Sequence, residues 1–235
     1  MSELEGARVV AFPLLGEWRA AHSPASRIPS HGTDQLGQRY AFDLWRVDMR
    51  AGGYHPASTA RTLLFGVRTD ECYGWGETVH AAFDGEVVHA RDGAKERAWL
   101  HPLRELLLVL GNAVTFRASR LDAILGNHVV VRNAEYHALF AHLAPGSVVV
   151  RPGQALREGD VIGRVGSTGN STAPHLHFQL MDRADLLTAA AIPSAFREYE
   201  ALRNGRWERV EGGIPRTTER IRSVAGNGRP PRSER

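Results

Sequence analysis

Cysteine and lysine are almost absent. Cys72 is the single cysteine among 235 residues, so the chain closes no internal disulfide and holds no cysteine-rich zinc module. Any metal site must come from histidine and carboxylate. Lys95 is the only lysine, so the net charge of +3 rests on arginine. Those arginines are thinly spread, with the densest run at the C-terminal end, and attract an acidic polymer only weakly. No basic helix with interleaved aromatics is present, which argues against nucleic-acid binding. No run approaches the ~20 apolar residues of a membrane span. The opening MSELEGARVVAFPLLGEW has acids where a signal peptide has bases, and no long apolar core. The chain as written is expected to be cytoplasmic, with action at the cell envelope requiring another export route.

What is present is a β pattern in an ordinary globular composition, 43% hydrophobic and 23% charged, sized for one well-packed domain. Residues 1–30 read as irregular, broken by Pro13, Pro24 and Pro29. RYAFDLWRV, Arg39 to Val47, predicts a strand. Gly52 to Ser58 reads as a loop, and Thr62 to Phe65 as a short strand or irregular piece. ETVHAAFDGEVVHARDG, Glu77 to Gly93, predicts a hairpin-like unit turning at Asp84-Gly85. Residues 94–126, rich in Leu, Ala and Arg, predict a helical insertion. Leu103, Leu106, Leu107 and Leu110 recur there at helical spacing, with Pro102 in a first turn. Strands are predicted at His128–Arg132, Ala138–His142, Asp160–Val165 and Leu176–Met181. Pro145 to Gly159 reads as an exposed loop with a short strand, and Val210 to Arg216 as a late strand or ordered coil. The sum is one mainly β domain over residues 1–221, with a polar tail expected to be disordered over 222–235 and no internal repeat.

The chemistry lies among the eleven histidines. In APHLHFQL, alternate strand side chains share a face, so His175 and His177 point one way and Leu176 and Phe178 the other. Two imidazoles on one face suit a metal site, an acid/base pair, or two hydrogen-bonded core side chains. His142 stands at a strand end before a Pro-Gly turn, where functional side chains gather. Asp43 interrupts the apolar run YAFDL, which is costly unless a metal, an arginine or backbone N–H groups pair with it. His31 in PSHGTD reads as an exposed loop residue, with Asp34 beside it as a competing carboxylate. His22 and His55 lie in stretches read as irregular, and no partner pattern singles them out.

Taken together, SHG…YAFD, ETVHAAFDGEVV and GNHVVV through PHLHFQL resemble the lysostaphin-type zinc metallopeptidases, glycyl-glycine endopeptidases acting on peptidoglycan cross-links. The resemblance runs from about His31 to Met181, interrupted by 94–126. It is most specific in A-H-L, then GDVIGRVGSTGNST, then PHLHF. It implies Zn2+ bound by His31, Asp43 and His177, with His142 and His175 as catalytic histidines. The implied fold is an antiparallel two-layer β-sheet of the duplicated-hybrid-motif type, crossed by a groove. The implied activity is zinc-dependent endopeptidase hydrolysis of peptide bonds in peptidoglycan cross-bridges or stem peptides, with peptide or peptidoglycan as the partner. His31 and Asp43 stand twelve residues apart here, against four in the commonest family pattern, and the insertion lies outside the minimal catalytic domain. Two other classes stay open. One is a non-catalytic regulatory or binding domain that keeps this fold; the other is a phosphocarrier-type β-domain, suggested by the V-x-A-x-x-D-G-x-V hairpin.

Overall fold

The computed structural model describes residues 4–48, 53–105, 107, 111 and 121–224. The strands of its first half are β1 (Arg8–Val10), β2 (Glu17–His22), β3 (Phe42–Trp45), β4 (Val67–Arg68), β5 (Thr78–His80), β6 (Gly85–Arg91), β7 (Trp99–Leu100) and β8 (Asn127–Arg132). Then follow β9 (His137–Leu143), β10 (Ala155–Leu156), β11 (Val161–Arg164), β12 (His175–Met181), β13 (Ala191–Ile192), β14 (Ser194–Arg203), β15 (Arg206–Gly213) and β16 (Arg220–Arg222). Twelve of them form one sheet in the order β1-β14-β16-β2-β3-β12-β9-β8-β6-β10, with β13 beside β12 and β15 beside β14. Two small sheets, β5 with β11 and β4 with β7, complete the set. The mainly β, antiparallel expectation holds in every described ladder but one, since β1 runs parallel to β14. Among the described residues no helix is long and apolar enough to cross a membrane.

Register explains how the sheet carries both a core and a site. Phe42, Phe178 and Phe140 stand in one cross-strand row over β3, β12 and β9, all fully buried. Phe196 of β14 packs on Phe42 at 5.0 Å and on Phe178 at 6.0 Å between ring centroids. Val79 and Ile162, from the β5–β11 pair, close over the same core. Each such side chain contributes about 1.5–3 kcal/mol on burial. One residue along, the next row is Asp43, His177 and Ala141. By the two-residue period of a strand it faces the opposite side.

Several expectations are corrected. The stretch expected to be irregular holds two strands, β1 and β2, which both join the large sheet, while residues 1–3 lie outside the described residues. Thr59–Phe65 is an α-helix, started by Ser58, whose Oγ accepts the Arg61 N–H; such a cap offsets the β preference of its threonines. β5 and β6 do not pair with each other: β5 pairs with β11, and β6 with β8 and β10. The insertion begins extended, with β7 at Trp99–Leu100, and turns helical at 102–105 and again at Leu121–Leu125. Leu103 and Leu107 are exposed there, and Leu106 and Leu110 lie outside the described residues. The ten-residue β14 was not expected. Its arginines and glutamates mask a strand that buries Ala195, Phe196, Tyr199 and Ala201. Arg222 ends β16, so the expected tail starts inside a strand, and residues 225–235 lie outside the described residues.

Candidate metal centre

Two irregularities in the sheet deliver histidines that strand parity would have hidden. Trp18 and Ala20 of β2 are fully buried in the core, so His22 should follow them inward. The β2–β3 ladder instead slips one residue between Ala20 and His22, and His22 comes to face Asp43. On β9, Ala138 and Phe140 are core residues, and His142 shares their parity. An extra residue on β9 against β8, with His142 at φ 66°, turns its ring to the other face and sends Leu143 inward instead. Bulges that re-aim a side chain are common beside functional sites, as are non-glycine residues with positive φ.

His22, His31, Asp43, His142, His175 and His177 therefore line one cleft of about 520 Å³, with Trp45, Leu36 and Gln179. Asp43 is its hub. His22 Nδ1 lies 2.8 Å and His31 Nε2 3.0 Å from Oδ2, while His177 Nδ1 lies 2.9 Å and His175 Nε2 3.4 Å from Oδ1.

Neighbouring hydrogen bonds decide where the protons sit. The Gln179 amide donates to the Leu36 carbonyl, so its oxygen faces His177 and accepts the Nε2–H at 2.8 Å. His177 Nδ1 is left with a lone pair towards Asp43. Ser30 Oγ donates to the Gln38 carbonyl at 3.2 Å and so accepts from His31 Nδ1–H at 3.0 Å. His31 Nε2 is then a second lone pair towards Asp43, buried with no hydrogen-bond partner. His142 Nδ1–H donates to the Thr168 carbonyl at 2.9 Å, and His175 Nδ1–H to the Ala173 carbonyl at 2.7 Å. Both leave Nε2 unprotonated.

Lone pairs aimed at a carboxylate repel it unless a proton or a cation intervenes. Burial lowers the pKa of His31. It acts likewise on His142, where the charges of His175 and His177 add to it and hold the ring well below the imidazole range. Burial also opposes the charged form of His177, but its hydrogen bond to Asp43 outweighs that and raises the pKa. The Asp43 carboxylate stays well below its usual range: burial works against it, and the imidazoles of His31 and His175 more than offset this. One proton on His177 leaves the His31 nitrogen unsatisfied. A divalent cation, taking imidazole nitrogens and a carboxylate oxygen, satisfies the whole set.

The loop 167–173 carries the acceptors that orient His142 and His175, and the insertion holds this loop. Glu96 accepts the Ser167 N–H and the Trp75 indole N–H. Arg97 donates to the Gly169 carbonyl at 3.2 Å and to the Ser171 carbonyl, and pairs at 2.8 Å with buried Glu105. Gly169 has φ +72°, and a Cβ there would collide with the Ile124 carbonyl. Arg97→Ala strands the Glu105 carboxylate in the interior, a loss of about 3–5 kcal/mol for a buried pair. Faster amide hydrogen exchange across 167–173, with β8 and β9 still protected, is the expected result. Unchanged protection of the loop would show that Arg97 does not hold it.

All five residues singled out by the resemblance thus fall in one cleft. Asp34 does not: it is largely exposed and paired with Arg39. His22, Trp45 and Gln179 were missed. Gln179 was open to detection, because it continues the His175–His177 face by two residues.

Residues 109–188 match the profile of Peptidase family M23. The chain is 38% identical over 73 residues to the peptidoglycan DD-endopeptidase ShyA of Vibrio cholerae serotype O1, covering 30% of this chain and 16% of that protein. It is 47% identical over 55 residues to the DD-carboxypeptidase/endopeptidase Mpg of Neisseria meningitidis serogroup B, covering 23% and 12%. The chain thus spans less than a fifth of the length of either. Among solved structures it is similar to the catalytic domain, in a mutant form, of the prophage-encoded M23 protein EnpA from Enterococcus faecalis, at 15% identity and a TM-score of 0.42, over 80% of this chain and 93% of that one. The profile match runs through β8, β9 and β12 and ends at Thr188, so the stretch that carries His142, His175 and His177 is similar to Peptidase family M23.

Proposed function

We propose that this chain is a zinc-dependent metalloendopeptidase that hydrolyses peptide bonds of peptidoglycan, in cross-bridges or stem peptides. One observation carries the reading: the bonds that tie Nδ1–H of His142 and His175 to backbone carbonyls leave each ring's Nε2 as an acceptor, in the same cleft as an Asp43-centred donor set that fits a divalent cation. The names of the curated relatives direct the substrate to peptidoglycan. His31 Nε2, Asp43 and His177 Nδ1 would hold the ion. Bound there, zinc supplies a Lewis acid for the scissile carbonyl and lowers the pKa of a coordinated water towards ~7.

The remaining work belongs to the chain. His142 is kept neutral by burial, so its Nε2 is free to take a proton from the attacking water. Its Nδ1–H bond to the Thr168 carbonyl offsets the charge it then gains. The proton that His142 gains then passes to the leaving amine, and His175, whose Nε2 faces the same cleft, offers a second acceptor for the water proton. Trp45 lies 5.7 Å from the His175 ring and walls that side of the cleft, limiting water.

The test is metal removal. The purified chain is expected to carry about one zinc per molecule and to release soluble muropeptides from isolated peptidoglycan. Release should stop after treatment with 1,10-phenanthroline and return with added Zn2+. Metal bound without release would identify a non-catalytic domain that keeps the fold, and a chain that binds no metal would end the proposal.

A further inference from the structure

We infer that His22 is a further protein donor to the metal at this centre. The inference rests on reading His31, Asp43 and His177 as the ion's ligands.

The argument starts from the strand. Trp18, Ala20 and His22 share parity on β2, and the first two are fully buried in the core. A regular ladder would oppose Ala21 to Asp43 and send His22 inward after them. The extra residue between Ala20 and His22 reverses that. His22, Asp43 and His177 then become direct neighbours across β2, β3 and β12. Directly opposed strand residues have Cβ atoms ~5 Å apart, close enough for their side chains to share one ion. The donor atoms of His22, His31 and Asp43 do lie within 4.8 Å of one another. A bulge costs a ladder hydrogen bond and local twist, and here its product is an imidazole on the hub carboxylate.

Counting His22, the centre has four protein donors, the number found in closed zinc sites, whereas catalytic sites keep three and an open position. The four are unequal in burial. The His22 side chain is 52% exposed, against 15% for His31, 10% for Asp43 and 9% for His177. His22 is therefore the donor that can swing into solvent while the others stay packed. Its place is the one a substrate group takes. The competing role is a hydrogen bond from His22 Nδ1–H to Asp43 Oδ2 that merely orients the carboxylate.

Cobalt substitution separates the two. The full chain is loaded with Co2+ and its visible absorption compared with that of His22→Ala and His22→Gln. Zinc affinity is measured by competition with a chromophoric chelator. Loss of a donor should shift the cobalt bands and change their intensity in both variants, and weaken zinc binding by about tenfold or more. Superimposable cobalt spectra would overturn the inference. That holds even if affinity falls, because His22 then only supports Asp43. A parent chain that takes up no cobalt, or a His177→Ala variant that binds it as well as the parent, would instead overturn the ligand reading itself. His22 lies on the cleft face, so both variants should keep the parent's near-ultraviolet circular dichroism.

Discussion

Asp43→Ala is expected to leave the chain without bound zinc and without peptidoglycan cleavage. Both oxygens of this carboxylate are engaged, one by His22 and His31 and the other by His175 and His177. Among the described residues that line the cleft, no other is acidic. Removing it leaves several imidazoles around a hole, and a divalent ion bound there would keep its full charge. Loss of an outer partner of a metal ligand already weakens binding about 10–100-fold, so loss of the charged ligand should exceed 100-fold. Cleavage should fall at least as far, because the proposed hydrolysis depends on the ion. Neighbouring Phe42 and Leu44 hold β3 in the core, so the fold should survive. Zinc content after dialysis, peptide release and a thermal melt read the three quantities separately. Stoichiometric zinc in a folded Asp43→Ala variant would remove Asp43 from the ligand set. Asp43→Asn sharpens the test: it keeps the size and one acceptor, and should still bind zinc much more weakly because the charge is gone.

The parts of this centre that obey a simple period were legible in the sequence. His175 and His177 share a face because two residues separate them on a strand, and Asp43 stood out because a carboxylate in an apolar run needs a partner. Their cross-strand pairing was not legible, since register is set by long-range packing, here the Phe42–Phe178–Phe140 row. His22 and His142 mark the sharper limit. Both occupy positions of core parity, and each is turned to the cleft by one extra residue in its strand. Bulges are decided by pairing partners distant in sequence, and alternation within a strand is blind to them. His31 offered no periodic signal because it sits in a loop; the resemblance alone picked it out, over the more obvious pairing with Asp34. The clamp of Glu96 and Arg97 on the 167–173 loop was equally hidden. Composition suggested helix there, whereas the chain first runs extended past the loop it holds.

His142→Ala should separate chemistry from metal binding. The His142 ring centroid lies 4.9 Å from that of His175 and 5.9 Å from that of His177, and its Nδ1 is tied to Thr168 rather than to Asp43. Removing the ring takes no contact from the Asp43 hub, so zinc content and affinity should stay near those of the parent. Cleavage should fall about 10²–10⁴-fold, the usual contribution of a positioned proton acceptor. The backbone complicates alanine here, because His142 holds φ 66°, where a residue other than glycine or asparagine is strained by about 1–2 kcal/mol. His142→Asn meets that objection: asparagine accepts the left-handed region, yet cannot act as a base. If both variants lose cleavage and keep zinc, the imidazole and not the bulge is what the reaction needs. If both keep cleavage, the proton passes to His175. If both lose zinc, His142 belongs to the metal's ligand set, and the division of labour proposed for the five residues has to be redrawn.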